Sequence, residues 1–283
     1  MNRFGHVFIF IILGCVVAHA QLREELHQSF KADTTRPMEV VVQMDAGEIL
    51  ISGSDKPDVC DLSLLFPSDE YWNDIDFNES KNRLHIKIDK ERWFRFNNSD
   101  DDDYATFELQ LPKNALLLLT VRLKAGELRM DLGGLKMEEL NVSSWAGETR
   151  VDFDTPNQIA MEMMDISAKI GECRLEQLGN ARFKRARIDG GIGELSVDFS
   201  GEVYPEGRAK VDLDIGEASV YLPEDKNVQL FIGGTFSFMS AKEIDSSLRH
   251  RGRYYYSRDF DETQDPFFVK ITPGLGELRV ECR

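Results

Sequence analysis

From Met38 onward, apolar and polar residues alternate with a period of two, the pattern of strands that bury one face. Seven Gly-Glu pairs punctuate the alternation, at Gly47, Gly126, Gly147, Gly171, Gly193, Gly216 and Gly276. Aligned on the glycine, the apolar positions fall into columns. Five residues before it stand Val42, Val121, Val142, Ile166, Ile188, Val211 and Ile271, all β-branched. Seven before it stand Val40, Leu119, Leu140, Met164, Ala186, Ala209 and Val269, and four after it Ile51, Met130, Val151, Leu175, Val197, Val220 and Val280. Residues two apart on a strand share a face, so these positions predict inward columns, with one layer added per repeat. The steps from Gly126 to Gly216 are 21, 24, 22 and 23 residues. A period in the low twenties predicts a stacked β-solenoid, because one unit alone cannot bury its inward side chains. The glycine between two strand segments predicts a tight corner that needs positive φ or close backbone approach.

Two intervals are longer, 79 residues from Gly47 to Gly126 and 60 from Gly216 to Gly276. The first holds two further alternating strands, Leu84 to Ile88 and Phe107 to Leu111, around an acidic loop that ends in Asp100 to Asp103. The second holds Arg249 to Tyr256, which is basic and aromatic. Upstream, Leu22, Leu26 and Phe30 have helical spacing, and Thr34 to Pro37 ends any helix. The first twenty residues read as a secretory signal. Arg3 is its basic end, Val7 to Leu13 its apolar run, and Ala18-His19-Ala20 a small-x-small cleavage site before Gln21. A competing lipobox, Ile12-Leu13-Gly14-Cys15, would place a lipid anchor on Cys15. Either route predicts an extracytoplasmic chain, periplasmic or secreted. The expected organisation is a signal peptide over 1–20, a linker or short helix over 21–37, an N-terminal β region with its acidic loop over 38–118, and solenoid repeats with a C-terminal cap over 119–283.

The repeated Gly-Glu unit, the strand ending Val220-Tyr221-Leu222-Pro223 and the closing run Ile271 to Leu278 carry a resemblance. Over roughly Met38 to Arg283 the chain resembles the bacterial adhesin-like β-repeat family, which includes toast-rack proteins and the C-terminal domains of LiaF-like cell-wall-stress regulators. The resemblance implies an all-β fold: a single-stranded right-handed parallel β-solenoid with an N-terminal β-sheet extension. It implies a non-catalytic scaffold or interaction module of the bacterial cell envelope, adhesin-like or stress-related, and carries no catalytic residues to transfer. LiaF-like regulators bear membrane helices, whereas no apolar run after the leader is long enough to span a bilayer. The partner this predicts is an envelope protein or a cell-surface polymer, with end-to-end self-association through the terminal rungs as a further route.

Charge narrows the partners. With 34 basic and 50 acidic side chains the net charge is −16, which argues against nucleic acid and against an anionic bilayer. Beyond the leader only Cys60, Cys173 and Cys282 remain, with no metal spacing, and Cys173 and Cys282 fall at least three rungs apart, beyond disulfide reach. No His-Glu-x-x-His, Gly-x-Ser-x-Gly or Gly-Lys-Ser/Thr motif occurs, and Gly190 to Gly193 reads as a corner rather than a dinucleotide loop.

The outward positions carry the candidate chemistry. Next to each glycine lies a glutamate, from Glu48 to Glu277. Two positions on come Leu50, Arg129, Arg150, Arg174, Ser196, Ser219 and Arg279, and two further Ser52, Asp131, Asp152, Glu176, Asp198, Tyr221 and Glu281. Stacked about 4.8 Å apart, an arginine column between two carboxylate columns predicts an ion-pair grid that fixes register. Its functional reading is a cation or glycan face. That reading is strongest at Glu194, Asp198 and Glu217, where serines replace arginine and calcium is the cation the oxygens suit. No other cofactor is expected. Arg249, Arg251, Arg253, Tyr254, Tyr255 and Tyr256 predict either a cap over an open end or a surface that stacks on sugars or an acidic partner. The outward carboxylates keep one alternative, a polysaccharide-active or glycan-binding β-solenoid.

Overall fold

A computed structural model describes residues 23–91, 104–234 and 240–283. The leader with Cys15, and Asp100 to Asp103, lie outside the described residues. The chain is all-β, and its described residues form seventeen strands joined in one sheet.

Its centre is a stack of long strands, each one repeat. Strands β7 (Leu116–Asp131), β8 (Lys136–Asp152), β9 (Met163–Glu176), β10 (Arg185–Asp198) and β11 (Arg208–Leu222) pair parallel in sequence order, glycine on glycine. Strand β2 (Met38–Gly53) joins directly, with Gly47 on Gly126. At the other end β16 (Phe267–Thr272) and β17 (Leu275–Cys282) continue it, with Gly216 on Gly276. Both long intervals are therefore bridged, and all seven predicted layers are contiguous. Each of the seven glycines has φ between +123° and +138°. The inward columns are buried throughout, as the alternation requires: Val42, Val121, Val211, Val151 and Val280 have no exposure. Each such side chain contributes roughly 1.5–3 kcal/mol by leaving water.

Chain order and spatial order part at both ends of the stack. Strands β5 (Arg83–Lys90) and β6 (Thr106–Leu111) follow β2 in sequence but lie outside it, pairing parallel with its first and second halves. Likewise β12 (Val228–Ile232) and β13 (Ser240–Ile244) lie outside β16 and β17, which return to fill the space against β11. Antiparallel strands then cover the outer edges. Strand β4 (Tyr71–Asn78) pairs with β5, β3 (Val59–Pro67) with β6, and β15 (Tyr254–Tyr256) with β12. The boundary expected at 118/119 falls inside β7, which pairs with β2 from Leu117 to Met130.

The stretch 21–37, expected as linker or short helix, contains strand β1 (Arg23–Lys31), antiparallel to β3. Leu26 and Phe30 are four apart, a spacing that satisfies a period of two as well as one of 3.6. The open edge of β3 decides between them, and Phe30 packs on Phe77 at 5.1 Å between ring centroids.

Two inward positions among the described residues, Ser144 and Thr149, break the apolar rule. Thr149 shares a column with Leu128 and Cys173 and is 1% exposed, and its hydroxyl finds no hydrogen-bond partner among the described residues. A buried unsatisfied hydroxyl costs about 1–3 kcal/mol. Thr149→Val keeps the shape and removes that cost, so its thermal midpoint should rise by roughly 2–4 °C per kcal/mol gained. An unchanged or lower midpoint in a melting experiment would refute this.

Candidate functional site

The three outward columns form the expected grid. Arg129 pairs with Glu127 at 2.6 Å and reaches Glu48 at 3.7 Å, Arg150 pairs with Glu176 at 2.5 Å, and Arg174 pairs with Glu172. Burial, then the neighbouring Glu176 and Asp131, push the Asp152 carboxyl up from its ordinary value. These half-exposed pairs are worth about 0–1 kcal/mol each, so the grid sets register more than it adds stability.

The three residues expected to bind a cation are not brought together. Glu194 and Glu217 are register neighbours, exposed, with no ion pair among the described residues. Asp198 lies four residues further along the strand from Glu194, about 13 Å away. It is 5% exposed and already held. Arg283 donates to it at 2.6 Å, the Ser200 amide at 2.9 Å and the Ser200 hydroxyl at 2.8 Å. Burial works to raise its pKa, but these donors outweigh burial and hold the carboxyl below the usual range. The serines that open the arginine column thus leave Glu194 and Glu217 bare, while the last residue neutralises Asp198 from outside the repeat. Among the described residues no group of three or more His, Cys, Asp or Glu side chains is placed to hold a metal ion.

The basic-aromatic stretch folds as a hairpin, β14 (Arg249–Arg251) against β15. Its tyrosines are half-buried along the edge of β12. Tyr254 meets Phe231 at 5.7 Å, Tyr255 stacks on His250 at 4.6 Å, and Tyr256 meets Phe260 at 4.6 Å. The arginines sit at the periphery with partners of their own. Arg251 pairs with Glu262 at 2.6 Å, Arg249 donates to the Ser257 carbonyl at 3.4 Å, and Arg253 lies 5.4 Å from the Phe231 ring centre. The geometry is that of an edge cover.

Two features escaped the sequence reading. The first is a cleft of about 890 Å³ on the outward side of β10, β11 and β16, walled by Phe231 and Leu275. Its floor carries both charges: Lys169, Lys210 and Lys270 against Asp189, Asp212 and Asp214. Lys210 pairs with Asp212. Burial first, then the adjacent Asp212 and a hydrogen bond shared with it, raise the Asp189 pKa. Such a floor suits a polar ligand bearing both donors and acceptors. Its signal lay four and six residues before the glycine, positions that hold Asp189 and Asp212, and Lys210 and Lys270.

The second is the column immediately before the glycine: Ala46, Ala125, Ala146, Ile170, Ile192, Ile215 and Leu275, each paired with the next. Pairing skips the position before it in every layer, as between Met44↔Leu123 and Ala46↔Ala125. That skipped residue resets the alternation, so the residues on both sides of the glycine face outward. Ile170, Ile192, Ile215 and Leu275 are consequently 51%, 52%, 46% and 40% exposed, and Trp145 beside them 59%. A strict period of two across the corner hides this column. Counting from the glycine reveals it.

The N-terminal domain of toast_rack, DUF2154, matches residues 19–173. Several solved structures are similar in outline. A candidate cell adhesion protein from Clostridium sporogenes, 14% identical, covers 92% of this chain and 100% of its own, with a TM-score of 0.43. A candidate adhesin from Bacteroides fragilis, 10% identical, covers 91% and 97%, with a TM-score of 0.38. A candidate lipid binding protein from Parabacteroides distasonis, 13% identical, covers 90% and 96%, with a TM-score of 0.28. Comparison with curated proteins yields no match.

Proposed function

The chain belongs to the toast-rack family, and on that premise we propose that it is a non-catalytic interaction module of a bacterial cell envelope, working outside the cytoplasm. The observation that carries this reading is the apolar column Ile170, Ile192, Ile215 and Leu275, held in register on the surface beside a polar cleft. Contiguous exposed apolar surface on a folded chain marks a place where something binds. The secretory pattern of the first twenty residues supports an extracytoplasmic site of action, free or anchored at Cys15. The stack is read as a right-handed single-stranded β-solenoid, because parallel crossovers between strands of one sheet are right-handed in nearly all proteins. Its regular faces then present the same side chain every about 4.8 Å, a geometry suited to extended partners such as an envelope protein or polymer.

A second reading, glycan turnover, draws on the cleft carboxylates Asp189 and Asp212. Glycosidase pairs stand about 5–9.5 Å apart to admit a sugar bond or a water. Asp189 and Asp212 are register neighbours on adjacent strands, and Asp212 is already paired with Lys210, which favours binding over hydrolysis.

The test is expression with a C-terminal epitope tag in a bacterial host, followed by osmotic shock, membrane separation and N-terminal sequencing. The expected product lies outside the cytoplasm and begins at Gln21, or at a lipid-modified Cys15. Cytoplasmic retention with an intact leader would overturn the reading. Polysaccharide turnover that is lost in Asp212→Asn would replace it with the enzymatic one.

A further inference from the structure

We infer that the apolar column and the bare glutamates beside it form a docking surface for a basic amphipathic helix of a partner protein, an inference that rests on the reading of the chain as an interaction module. Ile170, Ile192, Ile215 and Leu275 occupy four successive layers and span about 14 Å along the stack. Trp145, one layer before Ile170, supplies a large exposed aromatic at one end, the residue type that anchors interfaces.

Spacing selects a helix. Layers repeat every about 4.8 Å, and the apolar stripe of a helix laid along the stack repeats every about 5.4 Å. Over three intervals the mismatch is about 2 Å, within reach of flexible side chains. An extended strand repeats its faces every about 6.7 Å and falls out of step by about 6 Å, more than a full layer.

Charge selects a basic flank. Two residues along each strand from the apolar column runs the glutamate column. Glu127 and Glu172 in that column are paired with arginine, but Glu194 and Glu217 have serine where arginine would sit, and they carry no ion pair among the described residues. They flank Ile192 and Ile215, in the middle of the exposed strip. A helix with leucine-like residues on one stripe and lysine or arginine along its edge satisfies both columns at once. A second copy of this chain would oppose glutamate to glutamate, and an anionic bilayer would meet a chain of net charge −16.

The probe is a fluorescent leucine/lysine peptide of about fourteen residues with an amphipathic helical pattern, titrated by anisotropy against the purified chain at low salt and at about 0.15 M. A lysine/serine peptide of equal charge is the control for general attraction to an acidic protein. The amphipathic peptide should bind at least about ten-fold tighter than the control. Ile192→Thr with Ile215→Thr keeps strand propensity and should cost at least about ten-fold in affinity with an unchanged melting curve. Glu194→Gln with Glu217→Gln should weaken binding several-fold and flatten its salt dependence. Equal binding of the two peptides, or full affinity in the isoleucine double variant, would overturn the inference. So would a dimer in sedimentation, or flotation with zwitterionic vesicles, that this double variant abolishes, since the occupant would then be a second copy or lipid. Failure of the localisation test with peptide binding intact would remove the envelope role and leave the surface standing.

Discussion

Gly193→Ala should collapse the middle of the stack, at a cost above about 4 kcal/mol, among the largest single-substitution effects. Two costs coincide at this position. At φ +138° an L side chain is strained, and a Cβ built there stands 1.9 Å from the Gly171 carbonyl oxygen and 2.9 Å from its carbon. The obstructing atoms are backbone, so no rotamer change relieves them. The chain has to part β9 from β10, which breaks ladder hydrogen bonds worth about 1 kcal/mol each in a buried setting. Gly252 separates the two costs. Its φ is +66°, with nothing within 4 Å of an added Cβ, so Gly252→Ala should cost only the left-handed penalty of about 1–2 kcal/mol. Urea unfolding of both variants decides the matter. Comparable midpoints would show that φ alone, and not glycine-on-glycine approach, governs the repeat.

The same glycine explains what could be read from the chain and what could not. The inward columns were legible because each strand half alternates strictly and Val42 to Ile271 never departs from a β-branched side chain. The ion-pair grid was legible for the same reason. The apolar column was not, because the skipped residue before it shifts the phase at the corner, and simple alternation places Ile192 and Ile215 inside. The cleft was not legible either. It needs Phe231 of β12, beside which β16 returns, and nothing local in the sequence announces that return. Of the residues expected to bind a cation, Glu194 and Glu217 are neighbours, while Asp198 is set apart by distance along the strand and by Arg283, which pairs with it from outside the repeat. Helical spacing misled at Leu26 and Phe30, where only the open edge of β3 distinguishes strand from helix.

Phe267→Ala should cost about 3–5 kcal/mol and loosen the C-terminal end selectively. Phe267 is 1% exposed and its ring lies 5.8 Å from Phe183 and 5.5 Å from Phe199, which meet each other at 6.2 Å. Phe183 and Phe199 come from the connections before and after β10 and Phe267 from the start of β16, so each ring fills space that the other two define. Phe267 also marks the point where the chain returns after the long excursion from Gly216. There it pairs with Val228 of β12, while its neighbour Phe268 pairs with Arg208 of β11. Closing so long a loop costs entropy that grows only slowly with length, but that cost has to be offset where the returning strand first makes contact. The aromatic trio supplies that contact. Phe268 is the internal control: it points outward, half-buried, with the Arg208 guanidinium 5.9 Å from its ring centre, so Phe268→Ala should cost less than about 1 kcal/mol. Hydrogen exchange in Phe267→Ala should rise in β12 and β16 well before β7 and β8, because in a stacked repeat each layer is stabilised chiefly by its neighbours. Uniform loss of protection along the whole stack would instead mean that the end layers and the centre unfold as one unit, and that the returning strand is held by the entire sheet rather than by its aromatic seam.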